Sequence, residues 1–187
     1  SSVSPTEGEV KLENVKLIED KFNNKIVLSR NAKIKIINSG EEKFASNIPF
    51  GSRLLVNESQ AIKPNQTLAE WDPYTLPIIS ERNGFVKYVD LKQGNSFRES
   101  IDDTTGISSK IVIDWSQNQK SKNFKPAINI TDSLLEPDKD DIDFSNYPMS
   151  IDTIISVEDG QEVTAGQVLA RIPKESSKTK DITGGLP

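Results

Sequence analysis

The fold is decided by one stretch, Val157-Glu158-Asp159-Gly160-Gln161-Glu162-Val163-Thr164-Ala165-Gly166-Gln167-Val168-Leu169-Ala170. Short apolar runs in it are separated by the turn residues Glu158-Asp159-Gly160 and by Ala165-Gly166. Turn residues between short β-rich runs are typical of hairpins. The stretch therefore predicts a strand, a turn, a short strand, a tight turn and a further strand.

The same pattern occurs earlier in the chain, in Val56–Ala69. Setting Gln66 over Gln167 aligns like residues with like along both stretches. The aligned pairs are Val56 with Val157, Gln60 with Gln161, Ile62 with Val163, Leu68 with Leu169, and Ala69 with Ala170. Repetition of one unit predicts two related β modules or one pseudo-symmetric module.

Other β-rich runs recur along the chain between turn residues. They are Glu9–Leu17, Lys25–Ser29, Ala32–Ile37, Arg53–Val56, Gly84–Val89, Ser109–Asp114, Lys125–Ile130, Ile151–Val157 and Gln167–Ile172. No window of about 12 residues carries the apolar stripe of a helix, and prolines interrupt nearly every interval. We therefore predict an all-β fold, a sandwich or barrel in class, with little helix.

The domain organisation follows from composition. Pro137–Tyr147 is polar and predicts a connection that leads into the second copy of the repeat. We expect a first module with additional strands at 1–136 and a second repeat half at 137–173 that packs with the rest. Residues 174–187 carry Ser, Thr, Lys and Gly with little apolar surface, which predicts a flexible tail.

Composition excludes most catalytic chemistry. The 187 residues contain no His and no Cys, which removes imidazole bases, thiol nucleophiles and the usual zinc ligands. A carboxylate-based hydrolase is a remaining possibility, but the sequence alone places no pair of acids together. Lys plus Arg is 23 against 28 for Asp plus Glu, giving a net charge of −5. This balance argues against autonomous nucleic-acid binding.

Targeting signals are absent from the sequence as given. No apolar stretch approaches the length of a membrane span, and Ser1–Val10 lacks the basic start and apolar core of a signal peptide. We expect a cytoplasmic location and no membrane contact.

The stretch Val157–Ala170 resembles the half-motif of the barrel-sandwich hybrid fold found in biotinyl and lipoyl carrier domains. Such carriers present a lysine at a hairpin tip, usually beside Met or Asp. The single methionine here is Met149, followed by Ser150, and Ile172 is followed by Pro173-Lys174-Glu175. A stand-alone carrier or binding module is therefore the alternative interpretation, and it lacks the lysine setting.

A closer resemblance covers almost the whole chain. Ala170–Pro187 resembles the second arm of the trigger loop in β′ subunits of bacterial DNA-directed RNA polymerases. Three further stretches, Trp71–Ile79, Asp102–Ser109 and Pro49–Leu55, are similar to the large insertion that interrupts this loop in proteobacterial β′ subunits. The resemblance implies tandem sandwich-barrel hybrid motifs followed by part of the second arm.

This resemblance also implies a function. The parent enzyme carries out nucleotidyl transfer in transcription, and the insertion is expected to modulate trigger-loop folding, pausing and transcript cleavage. Thr183, Gly184 and Gly185 are the expected hinge of the trigger-loop arm. No catalytic, cofactor-binding or metal residue is expected in this segment, which should be inert alone, and magnesium and zinc are expected elsewhere in the subunit. The expected partners are the alpha, beta, omega and sigma subunits, together with factors that enter the secondary channel.

Overall fold

The computed structural model describes residues 1–132 and 144–174. Its contacts divide the chain into two compact modules, a first module of Ser1–Pro73 and a second module that begins at Tyr74. Strand dominates both modules. The described residues contain one short 3₁₀ helix, Trp115–Gln117, and no longer helix. The all-β prediction is confirmed.

Nine strands form the first module. They are β1 (Ser2–Val3), β2 (Gly8–Glu13), β3 (Leu17–Glu19), β4 (Lys25–Val27), β5 (Ala32–Asn38), β6 (Glu41–Ile48), β7 (Arg53–Leu54), β8 (Ala61–Ile62) and β9 (Thr67–Glu70). One sheet has the order β1-β9-β7-β4-β3, and the other has the order β6-β5-β2-β8. All strand pairs in both sheets are antiparallel.

The described residues of the second module also form nine strands. They are β10 (Thr75–Ile79), β11 (Gly84–Val89), β12 (Phe97–Ile101), β13 (Ser108–Val112), β14 (Ala127–Thr131), β15 (Phe144–Pro148), β16 (Ile154–Ile155), β17 (Glu162–Val163) and β18 (Val168–Pro173). The sheet orders are β10-β18-β16-β13-β12 and β15-β14-β11-β17. Strand for strand, this is the topology of the first module. The internal repeat therefore extends over the whole module and is not limited to the two aligned stretches.

Each module has its own apolar core between its two sheets. In the first module the alternation in β5 points Ile34 and Ile36 inward, where both are fully buried, and leaves Lys33 exposed. Leu68 of β9 reaches the same cluster from the opposite sheet. Alternation of this kind is what a strand with one wet face requires. Trp71 covers this core.

The second core is built in the same way. Ile128 and Ile130 of β14 and Leu169 of β18 are fully buried in one cluster. Trp115 packs against it. Each tryptophan thus covers the core of its own module.

The paired glutamines explain why the repeat is visible in the sequence. The Gln60 side-chain oxygen accepts a hydrogen bond from the Asn57 backbone N–H at 2.9 Å, and Gln161 does the same for Glu158 at 2.9 Å. One residue type in both modules therefore closes the turn that precedes the short strand. Such side-chain acceptors satisfy turn amides that no strand reaches.

A second pair of glutamines closes the tight turn. Gln66 accepts from the Lys63 N–H at 3.0 Å, and Gln167 accepts from the Thr164 N–H at 3.2 Å. The residue before each glutamine has a positive φ, 67° at Asn65 and 89° at Gly166. Asn and Gly are the residues that adopt this conformation most easily.

The structure divides the chain at a different place from the predicted 136/137 boundary. The dividing point lies at Pro73/Tyr74, between β9 and β10. Strands β10 to β14 precede residue 137, yet they pair with β15 to β18 and so belong to the second module. The repeat that is visible in the sequence covers only the end of each module. It gives no sign of where the second module begins, so the prediction included the first strands of the second module in the first.

The predicted polar connection Pro137–Tyr147 is also partly wrong. Its last residues lie in strand β15, Phe144–Pro148, at the edge of a sheet. The side chains of this strand are exposed or half-buried, so the strand carries no apolar run. Residues 133–143 lie outside the described part of the chain.

Candidate functional site

The predicted hinge residues Thr183, Gly184 and Gly185 lie outside the described residues, as does all of 175–187. Their assignment therefore stays a prediction. What the structure does describe is the strand that leads to them, β18.

Strand β18 lies inside its sheet, between β10 and β16. Its residues Leu169 and Ala170 are fully buried. A strand held on both edges and packed into the core resists displacement relative to its module. A force applied at the end of β18 would therefore act on the whole second module.

The pairing of β18 with β10 continues through Pro173, one residue beyond the predicted run Gln167–Ile172. Pro173 lies opposite Thr75, and the Lys174 N–H donates a hydrogen bond to the Tyr74 carbonyl at 2.9 Å. Antiparallel pairs alternate between hydrogen-bonded and non-hydrogen-bonded. Pro173 therefore occupies a pair in which β10 needs no N–H from it, and the ladder continues past it.

The described residues contain no group of three or more His, Cys, Asp or Glu side chains that could hold a metal ion. Within these residues, Lys110 and Glu158 form an ion pair that joins two parts of the second module. The Lys110 ammonium bonds the Glu158 carboxylate, with 10% of the lysine side chain and 66% of the glutamate side chain exposed. The pair ties the β13 strand to the turn after β16.

Tyr88 lies in the same region and has a perturbed pKa. Burial raises the pKa of its hydroxyl well above the usual value, and the nearby Glu158 charge raises it further. The hydroxyl donates a hydrogen bond to the Val157 carbonyl, and the ring meets Phe97 edge-on at 6.0 Å between centroids. These contacts hold the phenol in its neutral form and give it a packing role.

A shallow depression of about 300 Å³ lies in the first module beside Glu9, Lys11 and Glu58. The Glu58 carboxylate accepts a hydrogen bond from the Leu12 N–H at 2.7 Å. In the second module Asp159 accepts from the Tyr88 N–H at 2.9 Å in the same way. An acidic side chain at the equivalent position therefore accepts a strand N–H in both modules. Because Glu58 has this structural role, we assign the depression no ligand.

Exposed apolar side chains stand at the tips of two hairpins. Phe22, in the β3–β4 turn, is 72% exposed, and Ile101 and Ile107 flank the β12–β13 turn at 67% each. The β12–β13 turn is ordered, because Asp102 accepts from the Thr104 N–H at 2.8 Å. Both hairpins occupy the same position in their modules.

The connection between β13 and β14 in the second module is longer than the equivalent connection in the first module. The β4–β5 connection comprises residues 28–31, whereas the equivalent β13–β14 connection comprises residues 113–126. Within it, residues 115–125 contain three lysines and no acidic residue. The net charge of −5 for the whole chain hides this local excess of positive charge.

Fold and surfaces together define a class: a tandem pair of nine-stranded β modules with ordered hairpins, a lysine-bearing loop and a buried strand that leads toward the C-terminal residues. No protein-family model matches the chain. In the described residues, no helix is long and apolar enough to cross a membrane.

Three curated relatives identify the sequence. The chain is 44% identical over 191 residues to the DNA-directed RNA polymerase subunit beta′ of Ehrlichia ruminantium (strain Gardel), covering 99% of the chain. It is 44% identical over 188 residues, or 97% of the chain, to the subunit of Ehrlichia chaffeensis (strain Arkansas). It is 43% identical over 188 residues, or 99% of the chain, to that of Anaplasma marginale (strain Florida).

The chain spans 13% of the length of each of these relatives. It is therefore homologous, over nearly all of its residues, to one segment of the β′ subunit of bacterial RNA polymerase. The resemblance inferred from the sequence is confirmed at this level.

Proposed function

We propose that this chain is the trigger-loop insertion of a β′ subunit together with part of the second trigger-loop arm. In this proposal the parent enzyme performs nucleotidyl transfer during transcription, and the insertion modulates trigger-loop folding, pausing and transcript cleavage. Support comes from the homology to one β′ segment and from the run Ala170–Pro187, which resembles the second arm.

The observation that carries the proposal is the junction between β18 and the arm. Lys174, the first residue of the proposed arm, donates its N–H to the Tyr74 carbonyl at 2.9 Å. No flexible linker separates the buried strand from Lys174. Movement of the arm on closing over a matched nucleotide would therefore displace the second module.

Displacement gives the insertion its regulatory effect. A contact that forms in only one position of the module shifts the balance of open and closed trigger loops by its differential free energy. A tenfold change in that ratio corresponds to about 1.4 kcal/mol. Contacts of ordinary surface strength are thus enough to change pausing.

Within this proposal the chemistry lies elsewhere in the enzyme. Magnesium and zinc would be held by other parts of β′, and the segment alone would be inert. Its partners would be the other polymerase subunits, alpha, beta, omega and sigma, and factors that enter the secondary channel.

A deletion tests the proposal. Residues Glu9–Pro173 are removed from the full β′ subunit, the flanking residues are rejoined, and the polymerase is reconstituted. Nucleotide addition on a primed template should persist, whereas pause lifetimes and the rate of transcript cleavage should change. The control replaces the same residues by a flexible Gly/Ser linker, which keeps a tether but removes the rigid modules.

Unchanged pausing and cleavage in both variants would contradict the proposal. Mass spectrometry of the native subunit addresses the carrier alternative, because only a carrier would have a lysine modified by biotin or lipoate.

A further inference from the structure

We propose that the β13–β14 connection of the second module, residues 113–126, together with Lys92, forms a contact site for the phosphate backbone of nucleic acid. This inference rests on the proposed function only for the source of the nucleic acid, which is the template, product or duplex held by the polymerase. Such a contact would position the module on the nucleic-acid backbone and would not read the base sequence.

The loop and Lys92 carry a local excess of positive charge. Lys120, Lys122 and Lys125 lie in a run without acidic residues, in a chain whose net charge is −5. Lys92 lies beside this run, with its ammonium near the Phe124 ring. All four lysines are exposed. Lysine binds phosphate as a point charge, without the planar geometry that arginine uses to recognise a guanine edge. The cluster is suited to a repeating phosphate chain.

These charges are available within the described part of the chain. None of the four lysines forms an ion pair with a carboxylate of residues 1–132 or 144–174. The neighbouring acids are engaged by other donors. Asp90 accepts from the Lys125 backbone N–H at 2.9 Å. Asp114 accepts from the Ser116 hydroxyl at 2.6 Å and N–H at 3.0 Å.

The loop is also held in shape. Ser121 is fully buried and its hydroxyl donates to the Trp115 carbonyl at 2.7 Å. The Phe124 N–H donates to the Ser121 carbonyl at 3.0 Å, and the Lys92 ammonium lies 5.7 Å from the centre of the Phe124 ring. These contacts bring Lys92 to the loop. An ordered loop loses less entropy when it binds than a mobile one.

The other side chains of the loop favour nucleic acid over an acidic peptide. Gln117, Asn118, Gln119 and Asn123 are exposed among the lysines. Amide side chains of this type donate hydrogen bonds to phosphate and sugar oxygens, which account for half to two-thirds of protein–DNA hydrogen bonds. The corresponding connection of the first module, residues 28–31, contains one arginine and no lysine. The site is therefore specific to the second module.

The test uses RNA polymerase reconstituted with the full β′ subunit. A photo-crosslinking amino acid is placed at Asn123, and the nucleic-acid strands of an elongation complex are labelled separately. We expect a cross-link to a labelled strand, with a yield that falls as salt is raised. Each lysine–phosphate contact on duplex DNA contributes about −0.9 to the slope of log K against log salt.

Charge variants provide the controls. Changing Lys92, Lys120, Lys122 and Lys125 to Gln should reduce the cross-link at least fivefold and flatten its salt dependence, whereas the matched change to Arg should preserve it. The control set is Lys11, Lys21, Lys33 and Lys63 of the first module changed to Gln, which alters net charge equally and should have no effect.

The inference is overturned by a cross-link to protein alone, by no cross-link, or by equal losses in both Gln variants. The result is independent of the deletion experiment. A lysine-dependent cross-link in an enzyme whose pausing is insensitive to the deletion would retain the site and reject the proposed function.

Discussion

Lys25 and Lys110 occupy the same position in the two modules. Each ammonium closes the turn that follows the next strand of its sheet: Lys25 donates to the Val56 carbonyl at 3.0 Å, and Lys110 bonds the Glu158 carboxylate. In the second module the partner of the lysine is a charged carboxylate. Removing Lys110 and removing Glu158 should therefore lower the unfolding free energy by different amounts.

Glu158→Ala should destabilise the second module more than Lys110→Met. Removing the acid leaves a mostly buried ammonium without its partner, a loss of about 1–3 kcal/mol in unfolding free energy. Methionine keeps the apolar stem and removes the charge, which costs less than about 1.5 kcal/mol when volume is conserved. Denaturant unfolding of both variants measures the two values. The opposite order would show that the ammonium contributes through contacts other than its pairing with Glu158.

Gly84→Ala should destabilise the second module by about 1–3 kcal/mol, the usual cost of overpacking. A methyl group at Gly84 would lie 2.6 Å from the Thr131 carbonyl oxygen and 2.7 Å from Ile130 Cγ2. Gly8 meets the same restriction in the first module, where a Cβ would lie 2.7 Å from the Ile37 carbonyl oxygen. Thermal unfolding should show comparable losses for both alanine variants. The control is Lys11→Ala, at an exposed position of β2, and losses no larger than those of the control would contradict the structure.

Tyr88→Phe should change how stability depends on alkaline pH. Because burial raises the pKa of the folded phenol, the unfolded state loses its proton first, near the usual value of about 10. The contribution is complete below that pH and is lost as pH rises toward the folded pKa. The variant should thus be less stable at pH 7 by about 1 kcal/mol, through loss of one hydrogen bond. It should also lose stability less steeply above about pH 10.

The measurement is the unfolding free energy of wild type, Tyr88→Phe and the control Tyr74→Phe at neutral and alkaline pH. Tyr74 is 67% exposed, so its variant controls for the loss of a tyrosine hydroxyl outside the core. Parallel curves for Tyr88→Phe and wild type would show that the phenol ionises equally in both states.

Sequence predicted the interior strands well, because their apolar faces show the strand period. Gly84–Val89 is a strand with the predicted bounds, and β5 differs from the prediction by one residue. Several edge strands, β6 among them, were not predicted. Strand β6, Glu41–Ile48, has mostly exposed or half-buried side chains and includes three charged residues, so no inward face marks it in the sequence.

The module-wide repeat was predicted only in part. The two ends of the modules match because the same glutamines close the same turns, whereas connections of different length separate the other strands. A weaker signal was present near each beginning, where Ser4 and Gly8 correspond to Ser80 and Gly84. Both serine hydroxyls donate to a backbone carbonyl two residues later, at 2.6 Å.

The most direct test of the central claim is the distance between the Ala165-Gly166 turn and the body of the polymerase. A probe on this turn and another on the enzyme core report the position of the second module in reconstituted polymerase. Adding the matched nucleoside triphosphate, in an enzyme whose trigger loop is shown independently to close, should change this distance, because the chain runs from β18 directly into the proposed arm. An unchanged distance on closing would contradict the coupling.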